Sequence, residues 1–194
     1  GYAYSENTEM GDMLKAAQAA SAIALGTSGN RTYAPVEDRR HDLYPMEKNW
    51  RDFGADAFVP FLSDLEKEIS GRDGRIVKVI ARLSNSVSDV MMFNSLGELT
   101  CDSRPLGSVS VSAVFVQDGK TENRNASRSF RTGAELIGPG LIKELADDVV
   151  KGIDARFEAR RPKGGQMNVV MGAGASGILL HEAMGHAFEA DFNR

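Results

Sequence analysis

Two histidines and a glutamate near the end of the sequence have the types and spacing of a metal site. The segment is His181-Glu182-Ala183-Met184-Gly185-His186, and it holds two of the three histidines of the 194-residue chain. Neutral imidazoles are the commonest protein ligands for a divalent metal. A neighbouring carboxylate can serve as the base for a water on that metal, as in the zinc peptidase motif H-E-x-x-H. His181 and His186 are therefore candidate ligands, and Glu182 is the candidate base.

The spacing of the two histidines is one residue longer than in that motif. Residues i and i+5 point about 140° apart on an ideal helix, whereas i and i+4 are only about 40° apart. Both rings can reach one metal only if the helix is locally distorted, for example by a π-type turn. Gly185 tolerates such a distortion most easily. The sequence thus predicts a departure from α geometry between Ala183 and Gly185; the alternative is two histidines on a core-facing helix.

The same segment resembles the H-E-x-x-x-H segment of the TldD/PmbA family of metalloproteases. The resemblance covers most of the chain, although only the histidine segment is highly specific. It implies a zinc ion held by His181 and His186, with Glu182 as the base. The other matching stretches are 1–4, 102–106, 108–111, 118–120, 167–174, 177–180 and 189–194.

The resemblance also implies a third zinc ligand, a cysteine from the C-terminal domain, expected beyond Arg194. The only cysteine present, Cys101, lies in a strand-like run and does not map onto that ligand. Because catalytic zinc sites normally have three protein ligands, the chain is expected to be an inactive fragment that lacks most of the C-terminal domain. The family suggests peptides or unfolded segments as substrates, and a homodimer or a heterodimer with a related subunit.

Composition is that of an ordinary globular protein, and it excludes several classes of function. A net charge of −4 gives no electrostatic basis for binding nucleic acid. No apolar stretch approaches the roughly 20 residues of a membrane span. A single cysteine excludes an internal disulfide and suits a reducing compartment, so we expect a cytoplasmic protein with neither a membrane nor a nucleic acid as partner.

Hydrophobic periodicity predicts three helices before the histidine segment. The first covers Met10 to Leu25, and the second covers Phe58 to Ile69 and ends at Gly71. The third is a long helix that begins near Pro139 and ends by Pro162, with Leu141 to Phe157 marking one face. Residues 31–55 contain charged pairs and two prolines, and we expect a loop there.

Between Arg75 and Arg131 the period changes to two, which is typical of strands. Strand-like segments cover 76–83, 86–93, 98–104, 108–115 and 120–131, with hairpin turns at 94–97 and at Asp118-Gly119. The fold class is therefore α+β, an antiparallel β meander with packed helices, followed by the strand and helix that begin a second domain. Lys163-Gly164-Gly165 marks the boundary between an N-terminal domain, 1–162, expected to be incomplete at its start, and the beginning of a metalloprotease domain, 163–194.

A glycine-rich motif offers a different function at the same place. Gly172-Ala173-Gly174-Ala175-Ser176-Gly177 satisfies G-x-G-x-x-G, follows a strand-like run at 167–171 and precedes a helix. That context suits a dinucleotide phosphate loop, although small residues can also simply let a helix start close to a strand. A nucleotide-binding module is thus one alternative to the peptidase, and a non-catalytic scaffold or interaction protein is another.

Three further polar residues lie near or outside the motif, and each could have a role at a metal site. Glu189 and Asp191 follow it and could orient a histidine as outer carboxylates. Glu189 could also be a third ligand, but a hydrogen-bonding or surface role is favoured because it lies one turn beyond His186. His41 has charged neighbours and no partner at ligand spacing, so we expect a solvated loop residue.

Overall fold

The protein is described by a computed structural model that covers residues 1–23, 37–40, 43–94, 96–160 and 163–190. The chain divides into two compact units, Gly1–Ile153 and Asp154–Arg194. The predicted domains, 1–162 and 163–194, stay a prediction. In chain order the helices and strands are α1 (Met10–Ile23), β1 (Glu37–Arg40), α2 (Val59–Ser70), β2 (Ile76–Phe93), β3 (Glu98–Gln117), β4 (Lys120–Phe130), α3 (Pro139–Val150), α4 (Ile153–Glu158) and α5 (Ala175–Met184).

β2, β3 and β4 form the antiparallel meander that the alternating pattern predicts. At the turn between β3 and β4, Asp118 and Gly119 have φ angles of 50° and 75°. Positive φ at both central residues is the type I′ geometry that favours a two-residue hairpin. Each of β2 and β3 joins two segments that the sequence predicts as separate strands. β2 pairs with β3 along its length, apart from an irregularity near Ile76. The α+β class is confirmed.

The core lies between one face of the sheet and the apolar faces of α2 and α3. Alternate residues of β3 are buried because side chains along a strand point to opposite faces. α2 contacts β2, while α3 contacts β4 and α2. Burying one such leucine or valine contributes about 1.5–3 kcal/mol. The buried set is Phe61, Leu65, Ile69, Val109, Val111, Ala113, Phe115, Leu145, Ala146 and Val149.

Trp50 ties the chain before α2 to the sheet. Its indole N–H donates to the Thr132 carbonyl at 2.8 Å, and its ring stacks on Phe130 with centroids 6.1 Å apart. Trp50 also packs against Phe58. A β-carbon on Gly107 would lie 2.6 Å from the Trp50 ring and 2.5 Å from the Phe130 ring. The absence of a side chain at 107 therefore makes room for this aromatic cluster.

The prediction of a loop at 31–55 was partly wrong. β1 lies within it and pairs in parallel with β3, from Glu37 opposite Glu98 to Arg40 opposite Cys101. A short 3-10 helix, Trp50–Asp52, follows. Parallel pairing joins strands that are distant in sequence, so the charged segment Glu37–Arg40 carries no local pattern that predicts it.

The prediction of a single long helix up to Pro162 was also wrong, because α3 and α4 are separate helices. Gly152 has a φ of 74°, which is the left-handed region where glycine is favoured. At this break the Arg124 guanidinium donates to the carbonyl of Lys151 at 2.8 Å. The hydrophobic spacing continues from Val149 to Ile153, and it therefore masks the break.

The other helices agree with their predictions within the described residues. α2 ends where predicted, since the Gly71 N–H donates to the Lys67 carbonyl at 3.0 Å. α1 is described as far as Ile23, so its predicted end near Leu25 lies outside the described residues. Among the helices described, none combines the length and the apolar character that a bilayer crossing would need.

Candidate metal centre

The helix that carries the histidine segment starts at a tight glycine-rich turn. Gly174 precedes α5 with a φ of 119°, a conformation that L side chains rarely adopt. The Gly177 N–H donates to the Gly174 carbonyl at 2.9 Å, and the Ser176 hydroxyl donates to the Gly172 carbonyl. These bonds begin the helix at Ala175, eleven residues before His186.

The strand expected before this turn is not formed, because residues 167–171 pair with no strand in the described chain. A dinucleotide phosphate loop needs a strand leading into the glycine-rich turn. The local context of the nucleotide-binding alternative is therefore missing from the described structure, whereas the predicted helix after the turn is present.

The predicted departure from α geometry is found at Met184. Its φ and ψ are −131° and −37°, and a 3-10 helix, Gly185–Phe188, follows α5. The Gly185 N–H donates to the carbonyls of both His181 and Leu180, and the second of these is an i→i+5 bond. Gly185 itself has ordinary helical angles, −58° and −48°. The distortion thus lies beside the glycine that was expected to accommodate it.

The change of helix type brings the two imidazoles together. The ring centroids of His181 and His186 are 4.5 Å apart, with the rings inclined at 65°. One ligand atom from each of His181, Glu182 and His186 lies within 4.8 Å of the others. On an unbroken helix the two histidines would point about 140° apart, so the distorted turn is what makes their rings neighbours.

His186 contacts a carboxylate at each ring nitrogen. Its Nε2 is 3.2 Å from a Glu182 oxygen, and its Nδ1 is 2.7 Å from Oε1 of Glu189. The outer-carboxylate position considered for Glu189 is the one that it occupies. Asp191, considered for the same role, lies outside the described residues.

The donor set suits a divalent metal such as zinc, for which imidazole and carboxylate are usual ligands. Two atoms bound to one zinc at about 2.0–2.1 Å are at most about 4.2 Å apart. The observed limit of 4.8 Å is close to this value, so small side-chain rotations would complete a two-histidine site. Glu182 is more than half exposed, which leaves its carboxylate accessible to water.

Cys101 and His41 are the remaining candidates. Cys101 lies on β3 in the first unit, half-buried and opposite Met91, whereas His181 and His186 lie in the second unit. His41 lies outside the described residues.

Sequence reasoning missed one feature of the cluster, which is the contact between His181 and Gly185. A β-carbon on Gly185 would be 3.0 Å from Nδ1 of His181. The separation of four residues, one helical turn, was the available clue.

The chain is similar to several known proteins. Residues 48–159 match the model of the PmbA/TldA metallopeptidase central domain. A relative from Haemophilus influenzae named as a metalloprotease TldD homolog is 29% identical over 206 aligned positions, which cover 100% of this chain and 42% of the relative. A metalloprotease from Archaeoglobus fulgidus is 29% identical over 168 positions, 85% of this chain and 37% of the relative.

A solved structure shares the fold. It is that of a proposed modulator of DNA gyrase from Bacteroides thetaiotaomicron, with a TM-score of 0.50 and 16% sequence identity, covering 72% of this chain and 33% of that one. The present chain thus spans less than half the length of these relatives. More than half of it, residues 48–159, matches the central-domain model, and the chain belongs to the PmbA/TldD family of metallopeptidases.

Proposed function

We propose that the full-length protein is a zinc-dependent peptidase that hydrolyses peptides or unfolded segments. The observation that carries this proposal is the convergence of His181, Glu182 and His186, whose ligand atoms lie within 4.8 Å of one another. Membership of a metallopeptidase family supports the same chemistry. His181 and His186 would hold the zinc, and we assign the third ligand to a cysteine beyond Arg194.

The roles of the residues follow from their chemistry. Zinc, when bound, supplies Lewis acidity that polarises a peptide carbonyl and acidifies a water molecule. The Glu182 carboxylate, 3.2 Å from Nε2 of His186, takes the proton from the attacking water. The water oxygen bonds to the carbonyl carbon, the C–N bond breaks, and the proton passes from Glu182 to the leaving amine nitrogen.

Family resemblance also supports the rest of the proposal. We infer that the substrate binds as an extended or unfolded chain, that the protein pairs with itself or with a related subunit, and that it works in the cytoplasm. On its own the 194-residue chain supplies two histidine ligands, and two ligands with water seldom hold zinc tightly. We therefore expect this chain alone to be inactive.

The replacement Glu182→Gln in the full-length protein tests the peptidase assignment. Glutamine keeps the shape and the hydrogen bonding of glutamate but cannot accept the proton. The variant should keep about one zinc per subunit and lose peptide cleavage by about 10²- to 10⁴-fold, the usual contribution of a general base. Glu158→Gln is a matched control, because Glu158 is an exposed glutamate on α4.

Two outcomes would contradict the assignment. Loss of zinc from Glu182→Gln would make this residue a ligand, and unchanged cleavage would remove it from the mechanism. Stoichiometric zinc in a wild-type protein that cleaves no peptide would instead favour a non-catalytic scaffold.

A further inference from the structure

His186 is held between two carboxylates, one before it and one after it along the chain. Glu182 lies on α5, one turn before it, and Glu189 follows the 3-10 helix Gly185–Phe188. The contact with Glu189 is the shorter of the two, 2.7 Å at Nδ1 against 3.2 Å at Nε2. The two nitrogens of this ring therefore have different surroundings.

The backbone fixes Glu189 in place beside the ring. Its N–H donates to the His186 carbonyl at 3.2 Å, and its own backbone turns extended, with φ −69° and ψ 145°. Main chain and side chain of Glu189 thus both contact His186. This double contact favours one orientation of the ring.

Only one ring nitrogen of a neutral imidazole carries a proton, and a metal binds the other. A carboxylate accepts hydrogen bonds but cannot donate one. A proton on Nδ1 therefore satisfies Glu189 and leaves the Nε2 lone pair facing Glu182, on the side of the candidate metal centre. Either neutral tautomer leaves one nitrogen lone pair facing a carboxylate. With the proton on Nε2 that repulsive contact would be the one of 2.7 Å to Glu189, whereas the proton on Nδ1 leaves only the longer contact of 3.2 Å to Glu182.

We propose that Glu189 is a positioning residue that keeps the proton of His186 on Nδ1 and so directs Nε2 to the metal. This inference rests on the proposed function, because it assigns His186 as a zinc ligand. Outer partners of this kind typically change metal affinity by about 10- to 100-fold.

Zinc affinity of the full-length protein, measured by competition with a chelator, gives the first test. Glu189→Ala should raise the zinc dissociation constant by about 10- to 100-fold. Glu189→Gln should recover most of that loss, because its amide oxygen can still accept the Nδ1 proton. Glu158→Ala, the exposed glutamate on α4, should bind zinc like the wild type.

Nitrogen NMR of His186 gives a second test that needs no metal. In its neutral form, the His186 ring of the metal-free wild type should show the Nδ1–H tautomer. Glu189→Ala should move His186 towards Nε2–H, and Glu158→Ala should not. A tautomer that does not change in Glu189→Ala would overturn the proposal, even if the variant were less stable.

The two measurements separate this inference from the proposed function. If the wild-type protein bound no zinc, the peptidase assignment would be refuted. A tautomer shift in Glu189→Ala would still support the effect of Glu189 on the His186 proton. If Glu189→Ala bound zinc as tightly as the wild type, the positioning role would be refuted. The peptidase assignment would be unaffected.

Discussion

The ring of His181 borders the space that a β-carbon on Gly185, one helical turn further along, would occupy. A β-carbon on Gly185 would be 3.0 Å from Nδ1 and 3.4 Å from Cγ of His181. Such contacts are tighter than ordinary van der Waals distances, so the ring would have to move by a few tenths of an ångström. Since the Gly185 backbone is helical, glycine is needed there for space and not for its backbone freedom.

Gly185→Ala should therefore weaken zinc binding without unfolding the protein. Alanine is a better helix former than glycine by about 1 kcal/mol, so the free energy of unfolding should hold or rise. The zinc dissociation constant should increase by about tenfold, which corresponds to about 1.4 kcal/mol. Gly185→Val should have the larger effect, because its β-branch also restricts the backbone.

Gly177→Ala is the matched control for that substitution. It makes the same change within α5, and a β-carbon there meets nothing within 4 Å. Its zinc affinity should equal that of the wild type. Equal affinities for the alanine variants at 177 and 185 would show that the His181 contact has no influence on the metal.

Elemental analysis of histidine variants tests the ligand assignment. In the full-length protein, His181→Ala and His186→Ala should each lose stoichiometric zinc, because each removes one of three protein ligands. His41→Ala removes the remaining histidine of the 194-residue sequence and should keep its zinc. Full retention of zinc by both variants of the motif would refute the site.

Gly107→Ala should destabilise the first unit by about 1–3 kcal/mol, the usual effect of forcing an extra carbon into a packed core. The added β-carbon would meet Trp50 and Phe130 at 2.6 Å and 2.5 Å. Denaturant midpoints measure the change. Gly140→Ala, in the first turn of α3 where nothing lies within 4 Å, should be neutral or stabilising by up to about 1 kcal/mol.

The pair Asp73 and Arg75 predicts a pH-dependent contribution to stability. Side-chain hydrogen bonds from Arg75 lower the pKa of Asp73 from its ordinary value of 3.8, and the Arg75 backbone N–H also donates to Asp73. Because the folded pKa lies below the unfolded one, the contribution is fully present above about pH 3.8. It is lost as the pH falls through the lower, folded pKa.

Asp73→Asn should therefore reduce the free energy of unfolding at neutral pH by about 1 kcal/mol or more, the size of a hydrogen bond to a charged group. Urea unfolding at a series of pH values measures this difference, which should shrink as the pH falls below 3.8. A difference that stays constant down to pH 2 would exclude the carboxylate as its source.

Local patterns predicted those elements whose causes are local. The turn at Asp118 and Gly119 requires positive φ at both residues, and that dipeptide supplies it. The distortion at Met184 was likewise predictable. Two histidines five residues apart, His181 and His186, cannot both reach one metal from a regular helix.

Features that depend on distant contacts could not be predicted in this way. β1 exists because Glu37–Arg40 pairs with residues 98–101, and nothing in four charged residues specifies that partner. The spacing from Val149 to Ile153 suggested one helix, whereas Gly152 and the bonds from Arg124 divide it. The sequence identified Gly185 as an important glycine, but for its backbone freedom. The space taken by the His181 ring is a property of the folded chain and could not be predicted.

Trp50 is the only tryptophan of the 194-residue sequence, and it is 2% exposed. Its indole, enclosed by Phe58 and Phe130, therefore makes the first unit visible to fluorescence. Emission should be blue-shifted in the folded state and move to longer wavelength when the sheet separates from the segment before α2. Variants at His181, Gly185 or Glu189 lie in the other unit, so an unchanged spectrum of the 194-residue chain would show that its sheet remains intact in these variants.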